Sequence, residues 1–284
     1  MRKVIIASDS TCDLSDELLK KYDIKTVPLY INLGGISYHD KVDITVPEMY
    51  EKIESSEGFP KTSATTPADF YEFFKPFIDD GYDIVYTGIG GKLSGTLQSA
   101  YIASQEFEAG RIFLVDSCNL STGIGLILMK AVKYRNLGMG ASEIAEKMEA
   151  IVPKVRSQFV IDTLEYLHKG GRLSGSTALV ATALRIKPMI KVVDGGMVVA
   201  KKTIGSLTRA IKVMVDEFLD NFDKIDKEFV FITHSESHQN ADFIRSRVNK
   251  VSSQIDNLVE TNAGCVISSH CGPGCIGILY IEED

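Results

Sequence analysis

Hydroxyl and imidazole side chains beside glycine-rich turns are the parts of this sequence best suited to chemistry. Ser94 lies in TGIGGKLSGT (87–96) and His270 in SSHCGPGCIG (268–277). A serine nucleophile with a histidine base is one reading. The elbow of a serine hydrolase, however, needs glycine two positions before the nucleophile, and Lys92 stands there. Ser94 reads better as the N-cap of a helix starting near Thr96. A phosphate loop would need Ser or Thr after Lys92, where the chain has Leu93, and no glycine follows Gly90 at dinucleotide-binding spacing. No nucleotide cofactor is expected. GKLSGT at 91–96 returns as GRLSGS at 171–176, each ahead of a helical stretch. Flexible glycines and exposed amides suit an anion, so both segments are candidate carboxylate or phosphate sites. Arg172 in the second could hold an anion or form an ion pair.

Ser10, with Asp9, Thr11 and Asp13, and Ser117, with Asp116, fall where strands should end, the usual place of ligand groups in open parallel sheets. Helix capping is the alternative, and the better one for Asp13 and Ser15. Cys265, His270, Cys271 and Cys275 match no common zinc spacing. His234 and His238 are four apart but straddle a strand-to-helix junction. No metal is expected.

The elements that must position these residues alternate in the first two-thirds of the chain. VIIASDS, TVPLYINL, DIVYTGIG and RIFLVDS read as strands, separated by stretches with helical spacing of apolar residues. Thr45 with Pro47 and Thr66 with Pro67 mark helix starts. After about Lys154, KPMIKVVDGGMVVAKKT reads as a hairpin turning at Asp194, Gly195 and Gly196. A helix over about 206–222, a strand at EFVFITH, a helix at NADFIRSRVNKV and final strands around CVISSH and IGILYIEE complete the second half. The fold class expected is two α/β domains, 1–155 with a mainly parallel sheet flanked by helices and 156–284 with a mixed sheet.

Composition excludes several classes of function. A length of 284 residues, 44% hydrophobic and 24% charged, supports sizeable cores rather than disorder. The net charge of −7 disfavours nucleic acid or anionic lipid as partner. The apolar run from Val4 to Ala7 is too short for an export signal, and Ile124 to Met129 too short for a membrane span. A cytoplasmic protein with five reduced cysteines and no membrane insertion is expected.

DSTCDL, TSATTP, GIGGKLSGTLQSA, VDS at 115–117, GGRLSG, RIKPMI and SSHCGPGCIG together resemble the DegV family, in family order over essentially the whole chain. The resemblance implies a long-chain fatty acid in the cleft between the domains, with its carboxylate held by Thr62, Ser63, Ser94 and His270. The family often has Gln and Pro after the Thr-Ser pair, whereas this chain has Ala64 and Thr65 before Thr66 and Pro67. Some members are the fatty-acid-binding subunit of a bacterial fatty acid kinase whose separate ATP-binding subunit makes acyl phosphate. The expectation is therefore a carrier without catalytic residues or cofactor of its own. The alternative is a lipid-acting acyltransferase or hydrolase using Ser94.

Overall fold

The structure is a computed structural model that describes residues 2–55, 58–172 and 186–283. Its first part runs β1 (Val4–Asp9), α1 (Asp16–Tyr22), β2 (Ile24–Val27), β3 (Tyr30–Leu33), β4 (Ile36–His39), α2 (Val46–Glu54), β5 (Lys61–Ser63), α3 (Pro67–Asp79) and β6 (Asp83–Gly88). Then come α4 (Thr96–Ser104), β7 (Ile112–Asp116), α5 (Thr122–Asn136), α6 (Ala141–Ile151), β8 (Val155–Val160) and α7 (Glu165–Lys169). The last part is β9 (Ile186–Val193), β10 (Gly196–Ile204), α8 (Leu207–Asp220), β11 (Val230–His234), α9 (His238–Ser252), β12 (Leu258–Asn262), α10 (Cys265–Cys271) and β13 (Ile276–Ile281).

Both faces of β1 are buried, which suits a central strand of a parallel sheet covered on two sides. Ile5 and Ala7 pack with Phe70, Phe74 and Ala100 of α3 and α4, while Val4 and Ile6 pack with α5 and α6. The sheet has the order β2-β1-β6-β7, all parallel. A second, mixed sheet has the order β10-β9-β8-β13-β11-β12, with β11 and β12 its parallel pair. Its inner face meets α5 through Phe231, Leu279 and Ile281, and its outer face is covered by α8 and α9. Because α5 lies between two sheets, Thr122 to Val132 are all buried, and no polar face is left to show an amphipathic period.

The expected strand TVPLYINL is two strands in different sheets. Pro28 has no N–H to continue a ladder, so β2 stays in the parallel sheet while β3 joins β4 and β5 in a small antiparallel one. CVISSH is also corrected, from strand to helix α10. An apolar run this short has no decisive period, and the groups that cap it come from elsewhere in the chain. Other signals held. Thr66 Oγ1 accepts from Asp69 N at 3.2 Å while Asp69 Oδ2 accepts from Thr66 N at 3.0 Å, and Pro47 and Pro67 sit in the first turns of α2 and α3. The hairpin β9–β10 turns at Asp194 and Gly195, both at positive φ, with Gly196 already paired to Val193.

Candidate functional site

The loops leaving the C-terminal ends of β2, β6 and β7 supply Leu29, Ile89, Leu93 and Leu120 to one cavity, at the edge of a parallel sheet where ligands commonly bind. Opposite them lie Met197 of β10 and Val266, Ile267, His270 and Cys271 of α10. Thr62, Ser63, Ala64, Ser94 and Arg172 complete the wall. Four residues singled out in the sequence, with Arg172 as a fifth, are thus gathered from segments up to 208 positions apart. Ser10 and Ser117 are not among them. The Ser10 hydroxyl donates to Asp40 at 2.8 Å and accepts from Leu29 N, whereas Ser117 donates to the Gly88 carbonyl and accepts from Asn119 N. The GRLSGS echo lies outside the described residues from Leu173 onward.

Thr62 Oγ1 and His270 Nε2 are 2.8 Å apart. Burial and then the nearby Arg172 charge push the His270 pKa down to about 4, so the ring is neutral at ordinary pH. Its Nδ1 is buried with no hydrogen-bond partner among the described residues. A buried N–H without an acceptor is costlier than a spare lone pair, which favours the tautomer protonated at Nε2. The ring then donates to Thr62, whose own O–H is left to donate into the cavity. Gly170 makes the close packing possible. A Cβ there would stand 2.1 Å from Nδ1.

Ser94 Oγ accepts from Thr96 N at 3.3 Å and is 2.9 Å from Thr96 Oγ1. When Thr96 donates, the Ser94 proton is free. The N-cap of α4 is Gly95 rather than Ser94, whose hydroxyl braces the start of the helix through Thr96 N and still has a proton to donate. Ser63 is exposed and accepts from Asn32 Nδ2 at 2.9 Å. Arg172 is at the rim, its Nη1 donating to the Gly170 carbonyl at 2.6 Å. The apolar wall residues were missed in the sequence because Leu29, Leu120 and Met197 look like any other core positions. The paired glycines before Arg172 were the available signal for Gly170.

The cavity encloses about 50 Å³. A second pocket of about 20 Å³ shares Leu120, Ile267 and Cys271 with it and continues to Phe159, Cys275, Gly277 and Leu279. An open groove of about 670 Å³, lined by Arg2, Lys3, Lys25 and Arg135 among others, is larger but holds none of the candidate residues.

His234, His238 and Glu260 bring their ligand atoms within 4.8 Å of one another. His234 Nδ1, however, accepts from Ser237 N, which places the ring proton on Nε2, facing Glu260 at 3.2 Å. The lone pair a cation needs is thereby used, and Arg245 occupies the other Glu260 oxygen at 2.9 Å. This is an ion-pair network.

Among the described residues, no helix is long and apolar enough to cross a membrane. A DegV domain-containing protein of Clostridium perfringens is 34% identical over all of both chains. A DegV family protein of Thermus thermophilus, described by its fatty acid binding, has 30% identity and a TM-score of 0.89, with 99% of this chain and 100% of that one covered. A stearic acid-binding protein of Eubacterium ventriosum has 26% identity and a TM-score of 0.85, covering 100% and 99%. The model of the DegV family, described as uncharacterised proteins, matches residues 3–283, and the chain belongs to that family.

Proposed function

We propose that this protein binds a long-chain fatty acid between its two domains, 1–155 and 156–284, and presents the carboxylate to a separate ATP-dependent kinase subunit. The observation that carries the reading is the pair of neutral donors at the mouth of an apolar cavity, the Ser94 hydroxyl and the Thr62 hydroxyl that His270 turns toward it. Burying a tail of about sixteen carbons offers on the order of 12 kcal/mol before association costs. Hydrogen bonds to the carboxylate, worth roughly 1.5 to 3 kcal/mol each, then fix its register. Hydroxyls leave a carboxylate oxygen more nucleophilic than a bidentate Arg clamp does, which suits attack on a phosphate. Solved structures of similar proteins described as binding fatty acid support the same ligand.

The tail follows the two pockets that meet at Leu120, Ile267 and Cys271. Sites that bury a ligand of this size enclose roughly 300 Å³ or more. Loading is therefore coupled to separation of the apolar walls, with Met197 on the β9–β10 hairpin as the adaptable side. The hairpin turn is held to the first domain by Lys92 Nζ donating to the Asp194 carbonyl at 2.7 Å.

The acyltransferase or hydrolase alternative meets two obstacles. Ser94 is paired with Thr96 while His270 is paired with Thr62, and among the described residues no carboxylate orients Nδ1. Native mass spectrometry and lipid extraction of protein made in bacteria test the main reading. One fatty acid per chain is expected, with His270→Ala weakening head-group affinity by roughly 1 to 3 kcal/mol and lowering acyl phosphate formation with a kinase subunit. Extracts with no fatty acid above background would sink it, and turnover of an acyl ester through an acyl-Ser94 adduct would replace it by the enzyme reading.

A further inference from the structure

We infer that Asp13, Asp40 and Lys41 are positioning residues that lock the helix carrying His270 onto the sheet carrying Thr62. Helix α10 has only two turns, and its first amides need partners that its own sequence does not supply. Two carboxylates from the other end of the chain provide them. Asp13 Oδ1 accepts from Gly264 N at 2.8 Å, and Asp40 Oδ1 accepts from Cys265 N at 2.8 Å. Each remaining oxygen is held by a hydroxyl, Ser121 on Asp13 at 2.6 Å and Ser10 on Asp40 at 2.8 Å. Lys41 Nζ lies 3.6 Å from Asp13 and donates to the Leu14 carbonyl at 3.3 Å.

Asp40 matters most because of where it sits. It directly follows β4, which pairs with β3, and β3 pairs Ile31 with Thr62 of β5. One carboxylate therefore ties the start of the His270 helix to the three-stranded sheet that places Thr62. Its own amide donates to the Leu29 carbonyl at 2.9 Å, and Ser10, its hydroxyl partner, accepts from the Leu29 amide, so a residue of the apolar wall is held by the same cluster. The approach is close on every side: a Cβ on Gly264 would be 2.9 Å from Lys41 Cε and 3.0 Å from both Asp40 oxygens. Lys41 and Asp13 both hold left-handed backbone, at φ 63° and 52°. Non-glycine residues keep that conformation where their surroundings demand it.

A cluster that merely stabilised the fold would set the melting temperature and leave the site as it is in whatever protein remains folded. A positioning cluster moves the His270 ring. The inference uses the fatty-acid reading only for its effect on affinity, so the test has a lipid-free arm. In delipidated, histidine-labelled protein, nitrogen NMR follows the protonation of His270 and its bond to Thr62. Asp40→Ala should move the His270 midpoint upward toward 6.5, the usual histidine value, and weaken palmitate binding about tenfold or more, as a displaced donor does. Asp40→Asn keeps an acceptor for Cys265 N and should restore both to within about twofold, since the capping bond survives. If Asp40→Ala does not fold, the milder pair Ser10→Ala with Ser121→Ala, which strips one hydroxyl from each carboxylate, should move the midpoint in the same direction. A folded variant of either kind whose His270 midpoint and Thr62 bond match wild type overturns the inference, whatever its melting temperature. Wild-type protein that fails to bind palmitate while the His270 midpoint still shifts on Asp40→Ala would defeat the fatty-acid reading and uphold this one.

Discussion

The two ends of α10 are built on opposite electrostatic plans. At the N-terminal end, buried carboxylates Asp13 and Asp40 meet backbone amides and an ammonium group. At the C-terminal end, seven residues or fewer away, His270 is neutral, paired with a hydroxyl and otherwise without a protein partner among the described residues. Charge that is locked in place suits a joint, because breaking it is costly. A neutral site with spare donors suits a ligand that brings its own charge, because nothing must be displaced for it to bind.

The largest test of this contrast is the pH dependence of stability. Burial holds the Asp13 pKa up to about 6 against its ordinary 3.8, so stability from its protonated form is full near pH 4 and is lost as pH rises through 6. The His270 pKa is lowered from 6.5 to about 4, so its contribution is present above pH 6.5 and is lost as pH falls toward 4. Each is worth on the order of 3 kcal/mol, and the two slopes oppose each other. Relative to wild type, Asp13→Asn should make urea-unfolding stability rise more steeply from pH 4 to 6.5, and His270→Gln should make it rise less or fall. Parallel curves for all three proteins would show that the two ends do not differ in this way.

Next in size is Lys41→Met, which leaves two carboxylates without their cation. A fully buried pair broken this way costs about 3 to 5 kcal/mol, and about 2 is expected here because Lys41 keeps 26% of its side-chain exposure. The loss should shrink below pH 6, as Asp13 takes up a proton. Gly170→Ala acts on the other end alone. Its backbone is helical, at an ordinary φ of −75°, so the added methyl has the His270 ring as its main conflict. About a tenfold loss of fatty acid affinity is expected, with the melting temperature within a few degrees of wild type. Equal affinity would mean that His270 can move without consequence. Ser94→Ala should have the smallest effect, about 1 kcal/mol of head-group binding, for one hydroxyl at the surface of the cavity. Unchanged affinity and unchanged transfer to a kinase subunit would leave Ser94 only a brace for the start of α4.

How far the sequence reveals this arrangement depends on how local each signal is. The caps at Thr66 and Pro47, the hairpin at Asp194 and the parallel strands depend on neighbours a few residues apart, and they were legible. The nature of α10 was not, since CVISSH is apolar and β-branched while its caps, Asp13 and Asp40, are more than two hundred positions earlier. Asp13 itself looked like a cap for the helix that follows it. That role falls to Ser15, which accepts from Leu18 N at 3.3 Å. Thr62 and His270 came from the family resemblance, and nothing in their spacing foretold the 2.8 Å contact.

The Asp13 to Gly264 bond spans 251 positions, almost the length of the chain. Closing a loop that long costs entropy before any contact rewards it, and such contacts form late. A growing chain on the ribosome can therefore complete its parallel sheet while α10 is still unmade, and the cavity lacks one wall until Val266 to Cys271 have emerged. On the fatty-acid reading, loading waits for α10, and a chain cut before Gly264 should fold in part yet carry no lipid.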